Sequence, residues 1–324
     1  MKAAVVHGPD QHPIYDDFDD PIAADGYRLV DLVAAGVHPV VRASAAGRHY
    51  TSTGDYPLIP GVDAVARTSD GTLIYTGFTP APYGTLAERM AVPASMQLAL
   101  PNGANAAQVA GGLNPGLSSW MPLTARAAER GDAGLGTVLI LGVTGMAGLL
   151  AAQNAAALGA MRVVGAGRNP SGLERAAAHG ALPVALSGDR DADSAAISDA
   201  LDGTAPSIVL DFVWGRPAEA TFAALGRTGI HEDTADISYI EIGSLAGADA
   251  AVPASLLRSR HIRLSGSGAG STSIADIMTQ LPVYMEMIAA GTVTVPTRSF
   301  PLSRIADAWT AAADSGSRVV VVPG

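Results

Sequence analysis

The sequence predicts an α/β protein in which a mostly-β domain is interrupted by a doubly wound, parallel-sheet domain. Three observations carry this expectation. Residues 1–113 hold short apolar runs separated by proline and glycine. Residues 114–272 alternate strand-like and helix-like segments. Residues 273–324 return to the pattern of the beginning. The expected organisation is one domain built from 1–113 plus 273–324, with 114–272 inserted into it.

The elements follow in order. AAVV, RLVDLVAA, DAVART, TLIYTG and RMAVPA read as strands of a barrel-like domain. SDGT at 69–72 is a hairpin turn, because Asp-Gly tolerates the positive φ such turns need. Near Asn114 the pattern changes, and SSWMPLTARAAERG reads as a helix with an exposed arginine face. TVLILG, GLLAAQNAAALGA, MRVVGAG, SGLERAAAHGA and LPVALS then alternate, with SIVLDFV, YIEIGS and IRLSGSG as later strands. Near-continuous apolar strands between helices indicate a parallel sheet covered on both faces. GRPAEATFAALGRTG reads as a surface helix. IADIMTQLPVYMEMIAAG and IADAWTAAADSG read as helices, with VTVPTRSFPL between them and the strand RVVVVPG at the end.

Composition excludes several chemistries. The chain has 324 residues, 48% of them apolar, enough for a large core. Its formal charge of −10 gives no general attraction for nucleic acid or anionic lipid. Cysteine is absent, which removes disulfides, thiolate catalysis and cysteine-ligated metal. Lys2 is the only lysine, so there is no Walker lysine, no Schiff-base lysine and no Tyr-x-x-x-Lys pair. MKAAVVHGPD has too short an apolar run for a signal peptide. The long apolar stretch from Thr137 divides into a strand-like and a helix-like half, with Gln153 and Asn154 near its middle, so it is not read as a membrane span. A cytoplasmic location is expected.

The richest segment is GVTGMAG, which places Gly142, Gly145 and Gly148 between a predicted strand and a predicted helix. That setting asks for a tight turn, close approach of backbone N–H groups to a pyrophosphate, and close helix–strand packing. A helix N-terminus adds free N–H donors and a favourable dipole. Thr144, Met146 and Ala147 share this loop. The spacing, G-x-x-G-x-x-G, is a variant of the commoner G-x-G-x-x-G, and dinucleotide binding is the expectation. The bland reading is a packed turn with no ligand.

The second strand ends in Gly167, Arg168 and Asn169. An NAD site carries Asp or Glu there, bonded to the ribose 2′-hydroxyl. A carboxylate would repel a 2′-phosphate, whereas a guanidinium pairs with it through two hydrogen bonds. Asn169 adds a donor and Arg175 lies about a turn onward. The expected cofactor is NADPH; the alternative is that Arg168 is an ordinary surface arginine.

GVTGMAGLLAAQNAAALGA and VVGAGRNP do not stand alone. AAGVHPVVR (34–42), YPLIPGVD (56–63), GTLAERMAVPA (84–94) and GLSSWMPL (116–123) accompany them. In that order, over nearly the whole chain, these segments resemble the zinc-free branch of the medium-chain dehydrogenase/reductases, the quinone oxidoreductase-like proteins. The resemblance implies a GroES-like substrate domain, an inserted Rossmann domain, a cleft between them, and a homodimer formed by edge strands of the Rossmann sheets. Zinc-dependent relatives put metal ligands where this chain has His38, Val62 and about Asn114. Valine cannot ligate, so Lewis-acid alcohol oxidation is not expected. His38 also departs from the asparagine common in the zinc-free branch. It either meets the nicotinamide or substrate, or is a packing histidine.

Without a metal, hydride transfer to a quinone or enone leaves charge on an oxygen, which N–H or O–H groups stabilise and a nearby acid protonates. Candidate donors lie in RHYTSTGDY, with Tyr50 first and His49 next; an ordinary rim aromatic is the alternative for Tyr50. Asp63 either orients a loop, bonds the nicotinamide ribose or shapes a turn. Family position adds Ser118 and Ser119 on the nicotinamide-side phosphate. It also adds Phe212, Val213, Trp214, Gly243, Ser244 and the run Gly266–Gly270, with Gly268 at its centre, near the nicotinamide half. GSGAGS reads as a mobile loop. DDFDD (16–20) reads as solvated acid rather than metal ligand, and HEDTAD (231–236) as an exposed loop. The expected activity is NADPH-dependent reduction of a quinone or α,β-unsaturated carbonyl. The alternatives are a catalytically silent NADPH-binding sensor or structural protein, and a narrow-substrate enoyl reductase of secondary metabolism.

Overall fold

The computed structural model describes residues 1–229, 232–314 and 316–324. The chain forms two compact units, Met1–Pro115 with Leu281–Gly324, and Gly116–Gln280. Both crossings fall inside helices, α2 (Ala106–Arg130) and α8 (Ile274–Ala289), where the sequence reading placed them near residues 113 and 273.

The first unit holds β1 (Lys2–Val5), β2 (Ile14–Asp17), β3 (Tyr27–Gly36), α1 (Pro39–Ala45), β4 (Asp63–Arg67), β5 (Leu73–Gly77), β6 (Arg89–Pro93) and β7 (Leu98–Ala99). From the end of the chain it takes β14 (Thr297–Pro301), α9 (Ile305–Ala311) and β15 (Arg318–Val322). Ten-residue β3 organises the sheet. Its first half, Tyr27–Asp31, pairs with β6; from Asp31 to Ala35 it pairs with β4, across an irregularity between Leu32 and Ala34, and its last two residues pair with β15. Asp70-Gly71 makes the β4–β5 turn, with Gly71 at φ +90° and the Asp70 carboxylate accepting the Thr72 N–H. Val5, Val30, Ile74, Met90, Phe300, Trp309 and Val321 share one core, so both ends of the chain bury their apolar faces together.

The second unit holds β8 (Thr137–Leu141), α3 (Met146–Ala157), β9 (Arg162–Gly167), α4 (Pro170–Ala178), β10 (Ala181–Ala185), α5 (Arg190–Leu201), β11 (Ile208–Asp211), α6 (Gly215–Ala224), β12 (Ile237–Glu241), α7 (Ala254–Ser259) and β13 (Ile262–Gly266). Its sheet runs β10-β9-β8-β11-β12-β13, all parallel. Every residue of β8 is buried, which is why TVLIL reads as a continuous apolar run. Val138 and Ile140 face Leu123 and Leu149; Leu139 and Leu141 face Ile197 and Phe222. Each such aliphatic side chain contributes about 1.5–3 kcal/mol by leaving water. The order reverses between β8 and β11, and in open α/β sheets ligands bind at the carboxyl ends of strands beside such a reversal.

The α/β class and the two kinds of sheet are those expected. Several local readings are corrected. The linking helix begins at Ala106, earlier than expected, although Gly111 and Gly112 lie within it. A Cβ on Gly112 would stand 2.4 Å from Val295 Cγ2, so the glycine serves close packing instead of breaking the helix. Its arginine face is not wholly exposed. Arg126 is 3% exposed, its Nε donating to Ser207 O and its Nη2 to the Asp236 backbone O and carboxylate. The helix read as superficial, α6, buries Ala218 and Phe222. In HEDTAD, His231 lies outside the described residues. Asp233 is paired with Arg227 and Arg260, so this segment is pinned by arginines. In DDFDD, Asp17 pairs with Lys2 and Asp16 lies 3.7 Å from His7. No described helix is long and apolar enough to cross a membrane.

Candidate active site

The glycine turn after β8 divides its work among three residues. Gly142 lies at φ +84°, and a Cβ there would stand 2.8 Å from Val213 Cγ1. A Cβ on Gly148 would stand 2.3 Å from Gly142 O and 2.6 Å from Val143 Cα, so only glycine lets α3 lie this close to the loop. Gly145 differs. It has an ordinary φ of −84°, and a Cβ on it would meet only Gly142 O at 3.6 Å. The protein leaves the space in front of Gly145 open.

Gly145 is the N-cap of α3 and brings no side chain to cap it. The N–H groups of Met146, Ala147 and Gly148 therefore remain for a ligand. The neighbouring helices are finished differently. Asn169 accepts the Gly172 N–H at the start of α4, and Asp189 accepts the Ala192 N–H at the start of α5. An uncapped helix start behind an open glycine fits the pyrophosphate of a dinucleotide. Met146 is itself buried, so it would contribute its backbone.

Thr144 is wedged against the second strand. Cβ atoms on Gly167 and Gly172 would each stand 2.5 Å from its side chain. Beyond Gly167, Arg168 and Asn169 are exposed. The Asn169 Oδ1 is committed to Gly172 N and Ser171 Oγ, which leaves its amide NH2 as the donor. Arg175 is half-buried and donates to Ser171 Oγ at 3.4 Å. Arg168 thus follows β9 directly and Arg175 reaches back along α4 to its first turn, with no acid among Gly167–Arg175 except Glu174.

On the other side of the sheet reversal, Phe212 and Val213 border Gly142. A Cβ on Gly243 would stand 3.0 Å from Phe212 O, so the loop after β12 adjoins the loop after β11. Ser244 follows on that loop, its O accepting the Gly247 N–H. Gly268 lies farther out, beyond the edge strand β13, where its N–H is bonded to Ser271 Oγ. Ser119 is a correction. It is fully buried, and its hydroxyl donates to Gly116 O and accepts from Asn154 Nδ2, so it joins α2 to α3 and is not presented to a ligand. The sequence reading missed Asp211, which ends apolar β11 and is 0% exposed. A lone acid closing the run SIVL was the available signal.

In the first unit the candidate donors flank α1. His38 precedes it, 1% exposed, with Nε2 3.2 Å from Asp63 Oδ1, near enough for an ion pair but not aligned as a hydrogen bond. Asp63 also accepts the Tyr75 hydroxyl at 2.7 Å. Burial and the Asp63 charge push the Tyr75 phenol up. Arg318, nearby in charge, is held down to about 10 by burial, with Asp63 opposing the shift. His38 therefore sits in a buried polar cluster. His49 and Tyr50 follow α1; their rings stack at 4.3 Å, and Tyr50 is 70% exposed. Burial lowers the His49 pKa, so the ring is neutral near pH 7. Its Nδ1 lies 2.7 Å from Thr51 Oγ1 and accepts the Thr51 N–H at 3.4 Å. A backbone N–H can only donate, so in the tautomer that accepts it the ring proton sits on Nε2. Among the described residues, no group of three or more His, Asp or Glu side chains is placed to hold a metal ion.

No protein-family model matches the chain. The probable NADPH-dependent quinone reductase tdiC of Emericella nidulans is 30% identical over 351 aligned positions, covering 96% of each protein. The quinone oxidoreductase from Thermus thermophilus, solved also in complex with NADPH, is 25% identical with a TM-score of 0.79, covering 99% of this chain and 100% of its own. A mycobacterial quinone oxidoreductase, 20% identical, shares the fold over 100% of both chains with a TM-score of 0.80.

Proposed function

Because the chain belongs to the quinone oxidoreductase-like family of the medium-chain dehydrogenase/reductases, we propose that it is an NADPH-dependent oxidoreductase that transfers hydride to a quinone or an α,β-unsaturated carbonyl without a metal. The observation that carries this reading is Gly145, where the protein leaves open space before an uncapped helix start. When bound, NADPH supplies the hydride. Met146, Ala147 and Gly148 would hold its pyrophosphate by backbone N–H groups. Arg168, with Arg175 and the Asn169 amide, would pair with the 2′-phosphate. Phe212, Val213, Gly243 and Ser244 would border the nicotinamide half and keep water from it.

Tyr50 and His49 would serve the acceptor oxygen. The phenol can donate a proton, and the neutral His49 ring can donate a hydrogen bond from Nε2. Val62 at a zinc-ligand position and the absence of cysteine support chemistry without a metal. A homodimer is part of the same reading, since β13 is a terminal strand with a largely exposed surface. A cytoplasmic location also belongs to it.

The test is reduced-nicotinamide absorbance with NADPH and NADH in parallel, against a set of quinones and enones. Faster oxidation of NADPH is expected. Arg168→Asp should weaken NADPH at least about tenfold, roughly 1.4 kcal/mol, and leave NADH little changed. An unchanged NADPH affinity in that variant would remove the cofactor assignment. Tight NADPH binding with no turnover on any acceptor would favour a silent sensor. Turnover of one bulky enone with neglect of simple quinones would favour a narrow-substrate reductase.

A further inference from the structure

Asp211 gathers three segments of the second unit. Its Oδ1 accepts the Val213 N–H at 2.9 Å and the Trp214 N–H at 2.8 Å. Its Oδ2 accepts the Tyr239 hydroxyl at 2.6 Å. Its backbone O accepts the N–H groups of Ile242 at 2.7 Å and Gly243 at 3.2 Å. One fully buried residue thus ties the loop after β11, the middle of β12 and the loop after β12.

The turn it holds is not one the chain would choose unaided. Trp214 sits at φ +53°, ψ −158°, a region that glycine occupies and side chains avoid. The Trp214 ring is fixed edge-on to Phe222 and Tyr239, with centroids 5.9 and 6.2 Å away. The outcome of the turn is the placement of Val213. Its methyl fills the space a Cβ on Gly142 would need, and its carbonyl accepts the Ala246 N–H at 2.7 Å.

We propose that Asp211 is a positioning residue for the nicotinamide half of the cofactor. It fixes Phe212–Trp214 against the glycine turn and against the Gly243–Ala246 loop, and so sets the floor on which that half rests. This builds on the reading that NADPH lies along these loops. The partners of Asp211 all lie on β12 and on the loops after β11 and β12, away in sequence from Arg168 and α4, which would hold the adenosine half, so the two halves should respond separately.

The test uses the full chain and two ligands, NADPH and 2′,5′-ADP, the latter carrying the adenosine and 2′-phosphate but no nicotinamide. Asp211→Ala should weaken NADPH by about tenfold or more and 2′,5′-ADP by less than about twofold. Asp211→Asn should restore NADPH binding, because its amide oxygen accepts the same two N–H groups and its NH2 donates to the Tyr239 oxygen. Should the alanine variant fail to fold, Tyr239→Phe is read instead, with about a threefold loss of NADPH affinity and none of 2′,5′-ADP. Equal losses for both ligands, or unchanged NADPH binding, overturn the positioning role. Failure of the wild type to bind either ligand overturns the NADPH reading and this proposal with it.

Discussion

Gly145 and Gly148 sit three residues apart, yet exchanging each for alanine should have opposite consequences. In Gly148→Ala the new methyl would stand 2.3 Å from Gly142 O and 2.6 Å from Val143 Cα. Both are backbone atoms, so α3 must move by most of an ångström. Overpacking costs about 1–3 kcal/mol, and two backbone contacts below 3 Å put this site at about 2–3 kcal/mol, offset by about 1 kcal/mol of helix propensity. A net loss of about 1–2 kcal/mol lowers the melting temperature by about 2–8 °C for a unit of this size. In Gly145→Ala the methyl meets only Gly142 O at 3.6 Å, an ordinary contact. Folding should lose no more than about 0.5–1 kcal/mol, the cost of alanine at an N-cap. The methyl instead occupies the space left for a phosphate, and NADPH affinity should fall at least about tenfold. Thermal melts and NADPH fluorescence titrations on both variants make the assay. Wild-type affinity in Gly145→Ala, or a wild-type melting temperature in Gly148→Ala, would refute the division of labour.

Arg126→Ala strips Ser207 O and Asp236 of a buried guanidinium. About 2–3 kcal/mol of stability should be lost in urea unfolding, less than a fully buried pair would cost because Asp236 and Glu129 are partly solvated; a loss under about 1 kcal/mol would contradict the clamp. The Glu241 carboxyl is raised by burial and by the Asp211 charge beside it, so the stability it allows is present below the ordinary glutamate pKa and is lost as pH rises through the raised value. Glu241→Gln should therefore raise the melting temperature at about pH 7–8 and not at about pH 4, and the opposite pattern would reject that sign. Tyr50→Phe should slow turnover by about a hundredfold or more if the phenol is the proton donor, while His49→Ala should cost less because a neutral ring only donates a hydrogen bond. Equal, small effects of the two would move the donor elsewhere.

The layers of the fold were legible because period and burial agree. Val138–Leu141 and Ile208–Leu210 are apolar at every position and buried at every position, as interior parallel strands must be. The glycine turn was legible because its residues answer steric demands local to a few positions. What stayed hidden depends on partners distant in sequence. Arg126 looked like surface because its acceptors, Ser207 O and Asp236, lie 81 and 110 residues away. Gly111 and Gly112 masked the first turns of α2 because the side chains they admit, Val295 and Val320, come from the last part of the chain. The expectation for Ser119 rests on family position, whereas Asn154 on α3 decides what its hydroxyl does.

Thr144 has a consequence for redesign of cofactor preference. Its side chain interlocks with Gly167 and Gly172, so the turn before α3 and the turn before α4 are keyed to each other. An acid introduced at 168 needs no repacking of the protein, because Arg168 is exposed. The same acid at 167 would drive its Cβ into Thr144. Positions 144, 167 and 172 therefore form a lock that must be recut as a set, while 168 is a tooth that can be changed alone.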